Sequence, residues 1–370
     1  MKNQRIYSGT NSHKKITAIL QQENAKKVLL VCGKSFDSNP FRDFIESQDI
    51  PFVRFMDFSP NPKYEGICKG VKRFKKEECD FIMAIGGGSA MDVAKCIKLF
   101  SVLDENKNYL EQDYRESTTP LLAFPTTAGT GSESTRYAAI YYQGEKQSVT
   151  QESIIPDYVI LEPAVLQSVP DYHKKAAYLD ALCQGIESWW SVNSTVESQK
   201  LSKGCVEVLI SHFNAYFEDD ADSLEVVQRG ANLSGQAINL TQTTAAHAMG
   251  YKLTSLYGIA HGHAVALCLP RIWDYMSKHL DLCVDRRGKD YLSEVFEEIA
   301  RSMGVDTPQA AIEKLDGMIQ TLGLTTPEVE NDGQLKELVS SVNPLRLGNN
   351  PVRLDDEAIE KIYRKVLMGK

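Results

Sequence analysis

The side chains best suited to hold a metal are few in this chain, and they are unevenly placed. Seven histidines occur in 370 residues, and three of them, His247, His261 and His263, fall close together. Upstream, Asp180 and Gln184 stand four apart in the run DALCQGIE. On a helix that spacing puts both side chains on one face, able to converge on one point. His247 and His261 are separated by about 21 Å along a straight helix, too far to share one ion. They can meet only if the chain breaks between them, and Tyr257-Gly258-Ile259 supplies a break. Any one of these residues alone reads as a satisfied buried polar group. Taken together, Asp180, Gln184, His247 and His261 read as a divalent-metal site.

Two loops offer a second kind of chemistry. The segment Ile85 to Lys95, IGGGSAMDVAK, follows an apolar run and opens a helical pattern. Glycines let backbone approach a ligand closely, and the free N–H groups of a helix start attract phosphate. A dinucleotide pyrophosphate suits this place, although the pattern is not GxGxxG and the common Rossmann fingerprint does not apply. A tight strand-to-helix turn would ask for the same glycines. The second loop, PTTAGTGSE at 125–133, aligns small hydroxyls and glycines after the next apolar run. Such loops are common for local reasons. Two of them after successive strands argue more strongly, because ligands bind outside the carboxyl ends of strands.

The elements that must carry these groups are legible in outline. Apolar runs at 27–32, 80–85, 121–124 and 157–161 predict buried strands, with a helix over 63–78. Strands alternating with helices imply a parallel sheet with helices on its faces. After Pro170 the pattern turns helical, with a long amphipathic stretch at 198–219 and helices at 291–303, 308–322, 334–341 and 356–367. Segment 324–333 reads as an exposed loop. The expectation is an α/β nucleotide-binding domain over 1–170 and an all-helical domain over 171–370.

Bulk properties exclude other classes. Length favours two domains, and 42% hydrophobic with 24% charged residues is ordinary for a globular protein. A net charge of −8 provides no field for nucleic acid or an anionic membrane, so any anionic substrate needs a local counter-charge. The polar start MKNQRIYSGTNSHKK lacks a signal-peptide core, and no apolar run is long enough to cross a bilayer. Eight cysteines without a CxxC pair read as reduced thiols, hence a cytoplasmic protein.

The motifs GGGSAMDVAK, PTTAGTGSE, DALxxxIE and the pair His247-Ala248 and AHGHAVALCLP, in this order, resemble the iron-dependent alcohol dehydrogenase family. The likeness spans nearly the whole chain. It implies a dehydroquinate synthase-like fold with an α/β dinucleotide domain, a helical metal domain and a catalytic cleft between them, in a homodimer. It also implies NAD(P)H and a divalent ion, Fe(II) favoured over Zn, held by Asp180, Gln184, His247 and His261. The family usually has His where Gln184 stands, and a further cleft His is replaced by Tyr251. An amide oxygen keeps four ligands but is a harder donor than imidazole. Cofactor contacts are expected from Gly33, Lys34, Ser35, Asn61, Gly87, Gly88, Ser89, Asp92, Thr126, Thr127, Thr130, Ser132 and Lys146. NAD-preferring relatives tend to carry Asp where Gly33 stands; here Lys34 and Ser35 suit a 2′-phosphate, which leans the reading to NADPH.

Further stretches, QGIESWWSVNST, TTAAH, YKLT and NPLRLGNNP, resemble the branch of that family that reduces phosphonoacetaldehyde to 2-hydroxyethylphosphonate. A phosphonate calls for cationic donors, and arginine fits its planar arrays of oxygens. Arg136, Lys252, Arg346 and Arg353 are the candidates, each of which as a lone cation is more simply a solvated surface group. In the expected mechanism the ion acts as a Lewis acid, nicotinamide supplies hydride, and His261 is catalytic, with His263 or Tyr251 relaying a proton. The alternatives are a general alcohol or polyol dehydrogenase, a lyase that uses NAD only transiently, and a metal-free nucleotide-binding pseudoenzyme.

Overall fold

Unbroken buried apolar runs become strands here, because a parallel sheet covered on both faces buries successive side chains alike. The computed structural model describes residues 4–328 and 332–368. Its strands are β1 (Arg5–Ser8), β2 (Val28–Cys32), β3 (Phe52–Phe55), β4 (Phe81–Gly86), β5 (Leu121–Pro125), β6 (Tyr137–Tyr142), β7 (Glu145–Thr150) and β8 (Tyr158–Leu161). Six of them form one sheet in the order β1-β8-β5-β4-β2-β3, with every neighbouring pair parallel. β6 and β7 form a separate antiparallel hairpin. Every residue of β2, β4, β5 and β8 is buried. These are the four strands the sequence predicts.

The strands it misses lack that signature. β1 and β3 are four residues each and only partly buried. The β6–β7 turn, Gln143-Gly144, has positive φ at both residues, as a tight hairpin demands, but Gln-Gly is a weaker turn signal than Asn-Gly.

By internal packing the chain divides into two units, Met1–Val169 with Ala215–Gly235, and Pro170–Asn214 with Gln236–Lys370. Sequence periodicity assigns 215–235 to the helical half; the packing assigns it to the first unit. The cause is local. Asn232 Nδ2 donates to Glu133 Oε1 at 3.0 Å and to Ser134 Oγ at 2.7 Å. A Cβ on Gly235 would lie 2.5 Å from the carbonyl oxygen of Gly131, so the two backbones touch. Helical period alone does not say which core a helix joins.

From Pro170 onward the regular elements of the second unit are helical. The expected stretch 198–219 is two helices, Val196–Ser211 and Phe213–Phe217. Later helices run Lys289–Ser302, Pro308–Thr321, Asp332–Ser340 and Asp356–Met368. Of the expected loop, 324–328 is irregular, 332–333 opens a helix, and 329–331 lie outside the described residues. Among the described residues no helix is long and apolar enough to cross a membrane.

A buried charge network braces the first unit beneath its glycine loops. Lys95, with no exposed surface, donates to Ser132 Oγ and Thr135 Oγ1 at 3.0 Å and to the Tyr137 carbonyl at 2.9 Å. Asp92 accepts from Ser132 Oγ at 2.7 Å and from Ala139 N at 3.1 Å. Burial lowers the Lys95 pKa to about 8, against the pull of Asp92 and Glu133, and burial raises that of Asp92. Removing one partner from such a network strands the other charge in apolar surroundings. Lys95→Met is therefore expected to cost about 3–5 kcal/mol of stability in urea denaturation; a loss below about 1 kcal/mol would show that the network carries no load.

Candidate metal centre and nucleotide loops

On the helix Asp171–Trp190, Asp180, Gln184 and Glu187 recur at intervals of four and three, which aligns them on one face. All three are buried. His247 lies in the first turn of the helix Ala245–Tyr257, which ends at Gly258 in the left-handed conformation, with φ 66°. Ala260 is extended, and His261 opens the next helix, His261–Lys278. The break expected at 257–259 is present.

Two small residues let these helices close on one another. A Cβ on Gly262 would lie 2.0 Å from the Ala176 carbonyl oxygen, and one on Gly250 would meet Val265 Cγ2 at 2.9 Å. The helices thus pack backbone against backbone. Asp180, His247 and His261 consequently offer ligand atoms that all lie within 4.8 Å of one another.

His247 Nε2 is buried and makes no hydrogen bond, with Asp180 Oδ1 3.3 Å away. An orphaned imidazole nitrogen facing a carboxylate oxygen is costly unless a cation or proton joins them. The donor set of one carboxylate and two imidazoles suits a divalent first-row metal, and Gln184 lies one turn along the same helix face. The residues fit such an ion.

Glu187 is the functional residue that sequence reasoning quoted in a motif and gave no role. Its Oε2 bonds His247 Nδ1. Its Oε1 accepts from Thr244 Oγ1 at 2.7 Å and from Ala246 N at 2.8 Å. A carboxylate on Nδ1 fixes the ring's orientation and leaves Nε2 for a metal. The available signal was spacing: Glu187 lies seven residues after Asp180, on the same face. Burial disfavours the charged His247 imidazolium, but the carboxylates of Glu187 and Asp180 outweigh it and raise its pKa to about 10.

The two proton-relay candidates separate. Tyr251 stacks on His261, with ring centroids 4.7 Å apart and planes 6° from parallel. His263 is buried instead against Tyr172, whose Oη lies 3.1 Å from His263 Nδ1, and burial pushes its pKa down. The four candidate cations separate as well. Arg136 is paired with Glu152 at 2.5 Å and Lys252 with Glu337 at 2.6 Å. Arg353 is exposed and hydrogen bonds through its backbone N–H to Leu282. Arg346 Nη1 donates to Tyr251 Oη at 2.9 Å, and its guanidinium lies 4.7 Å above the Tyr251 ring.

In the first unit, Cys32 pairs with Ile85 and Gly86 with Pro125. This register brings Gly33, Gly87 and Thr126 to the carboxyl ends of three adjacent strands. Gly88 is required by close approach, since a Cβ there would lie 2.9 Å from Thr130 Cγ2, and Thr127 packs beside Gly87. The helix Gly88–Phe100 has Gly87 as N-cap, no side-chain cap and no acid in its first turn, which leaves its N–H groups suited to an anion. Ser89 lies in that turn. Asp92 and Ser132, both expected to contact a cofactor, bond each other, and further bonds to Lys95 and Ala139 hold the loop. Lys146, on β7, acts electrostatically on Asp92. Asn61 takes a positive φ of 56° next to Pro62, whose carbonyl receives Tyr141 N at 2.8 Å. Lys34 and Ser35 open the turn after β2.

Comparison with known proteins bears on the family and the fold. A sequence model described as iron-containing alcohol dehydrogenase matches residues 3–163, and one for the C-terminal part of the Fe-containing alcohol dehydrogenase family matches 175–367. The phosphonoacetaldehyde reductase of Streptomyces viridochromogenes is 30% identical, over 96% of this chain and 94% of its own length. The structure of sulfoacetaldehyde reductase from Bifidobacterium kashiwanohense in complex with NAD+ superposes with TM-score 0.89 at 25% identity, covering 100% of this chain and 98% of that one. An iron-containing alcohol dehydrogenase from Thermococcus thioreducens gives TM-score 0.90 at 22% identity, with full coverage of both chains.

Two measurements test the metal centre. Glu187→Gln should weaken divalent-metal affinity by about 10–100-fold in chelator competition; unchanged affinity would remove Glu187 from the site. A proton held at His247 below pH 10 competes with the ion, so affinity should rise about tenfold per pH unit between pH 7 and 9. A flat profile over that range would contradict the assignment.

Proposed function

Since the chain belongs to the iron-containing alcohol dehydrogenase family, a family of NAD(P)-dependent oxidoreductases, we propose that it reduces phosphonoacetaldehyde to 2-hydroxyethylphosphonate. The balance is aldehyde, NADPH and one proton to primary alcohol and NADP+. The observation that carries the reading is the convergence of Asp180, His247 and His261, whose ligand atoms lie within 4.8 Å of one another.

In this reading Asp180, Gln184, His247 and His261 hold Fe(II), and Glu187 keeps the His247 Nε2 turned toward it. When bound, the ion would polarise a carbonyl oxygen and reduced nicotinamide would supply hydride. The helix start at Gly88 and Ser89 binds the pyrophosphate, aided by Thr126, Thr127 and Thr130. Lys34 and Ser35, with no acid at Gly33, favour the 2′-phosphate of NADPH. Tyr251, whose ring stacks on that of His261, returns a proton to the product oxygen. His263, engaged by Tyr172, is a packing residue. The phosphonate assignment draws on the Streptomyces relative, whose printed name is that activity, and on the sulfoacetaldehyde reductase, which acts on another small acidic aldehyde. Eight cysteines, none in a disulfide among the described residues, fit a reducing, cytoplasmic setting.

Steady-state NADPH oxidation with phosphonoacetaldehyde, propanal and glyceraldehyde, with added Fe(II) or Zn(II), tests this. The expected result is a kcat/KM at least about 100-fold higher for the phosphonate. Equal rates would leave a general alcohol dehydrogenase, and no net NADPH consumption with any aldehyde would refute a reductase. His261→Ala should abolish turnover while NADPH affinity stays within about twofold; a fully active variant would end the metal assignment.

A further inference from the structure

We propose that Arg346 is the receptor for the acid group of the substrate, and that the stack of His261, Tyr251 and Arg346 limits the substrate to a short acidic aldehyde. This rests on the aldehyde-reductase reading above and adds the residue that sets its specificity.

Charge is the first argument. Of the four cations considered, Arg136 and Lys252 are neutralised by Glu152 and Glu337, whereas Arg346 has no carboxylate partner among the described residues. An arginine carries five N–H donors in a fixed fork, and among the described residues the guanidinium's one hydrogen bond is to Tyr251 Oη. The rest of the fork matches a bidentate phosphonate or sulfonate. In a chain of net charge −8, an uncompensated, half-buried guanidinium is where an anion finds local attraction.

Placement is the second argument. Arg346 lies in the short helix Pro344–Leu347, and the segment after it is tied to the chain beside two of the three ligand-bearing helices. Asn349 Nδ2 donates to Gln242 Oε1 at 3.0 Å and to the Thr243 carbonyl at 3.2 Å, just before the His247 helix. Asn193 Nδ2 donates to Asn349 Oδ1 at 2.8 Å, and Val192 N to the Asn349 carbonyl at 3.1 Å, just after the Asp180 helix. The arginine is thus preorganised relative to the ligands, so little ordering remains to be done when an anion binds. Tyr251 links the two: its ring centroid lies 4.7 Å from that of His261 and 4.7 Å from the Arg346 guanidinium carbon. Only two stacking steps separate a metal ligand from the cation, so carbonyl and acid group must be a few bonds apart.

The test compares wild type with Arg346→Gln, Arg346→Lys and Arg353→Gln. One readout is the ratio of kcat/KM for phosphonoacetaldehyde over propanal; the other is calorimetric binding of ethylphosphonate, an unreactive probe. R346Q should lower the ratio by about 100-fold, chiefly through KM, and weaken ethylphosphonate by about 30-fold or more. R346K should recover part of both, since a point charge replaces the fork, and R353Q should leave both as in wild type. A wild-type ratio near one overturns the substrate reading and this assignment with it. A high wild-type ratio retained in R346Q overturns the assignment alone. An equal loss in R353Q also overturns it, because long-range charge would then explain the selectivity.

Discussion

The candidate metal centre depends on one buried carboxylate. Glu187 has no exposed surface, and a carboxylate so placed is tolerated only if its oxygens are met by donors. They are met by the start of a different helix: Thr244 Oγ1, Ala246 N and the His247 ring. The same atoms therefore do two jobs. They satisfy a charge that would otherwise destabilise the fold, and they set the angle and tautomer of the imidazole opposite Asp180. Misplacing the helix Ala245–Tyr257 would cost both at once, which is why the position of His247 is as secure as the packing around it.

The first unit uses a comparable device. Lys95 and Asp92 lie beneath the two glycine loops and fix the second through Ser132 and Thr135. In both places the group that would touch a ligand is short and simple, a backbone N–H or a ring nitrogen. Its precision comes from a buried, charged layer behind it.

Much of this was legible in the chain. Four strands appeared as continuous apolar runs because both sheet faces are covered, and the three converging side chains, Asp180, His247 and His261, stood out because histidine is rare and acid spacing matched a helical turn. What stayed hidden required three dimensions. Glu187 was visible on the right face, but its partner lies sixty positions away, and no local pattern announces that pairing. Arg136, Lys252, Arg346 and Arg353 look alike as letters; only the neighbouring glutamates of the first two, and Tyr251 beside the third, distinguish them. Asp92 and Ser132 stand in the loops as cofactor candidates, but their bonds to each other, to Lys95 and to Ala139 join residues far apart in the chain, and no local pattern announces them. The helix pairing of Gly235 with Gly131 is a contact of two absent side chains, so composition hides it.

That last contact has an evolutionary and practical consequence. Because Ala215–Gly235 belongs with the first unit while the flanking stretches belong with the second, the chain passes from one core to the other three times. Neither core is encoded by a single continuous stretch of the gene. A cut at residue 170 would release an N-terminal fragment with the backbone of Gly131 uncovered and Glu133 stripped of Asn232. Simple recombination at that point could not trade one half for a foreign counterpart, so descent of this architecture favours inheritance of the whole over shuffling of its parts.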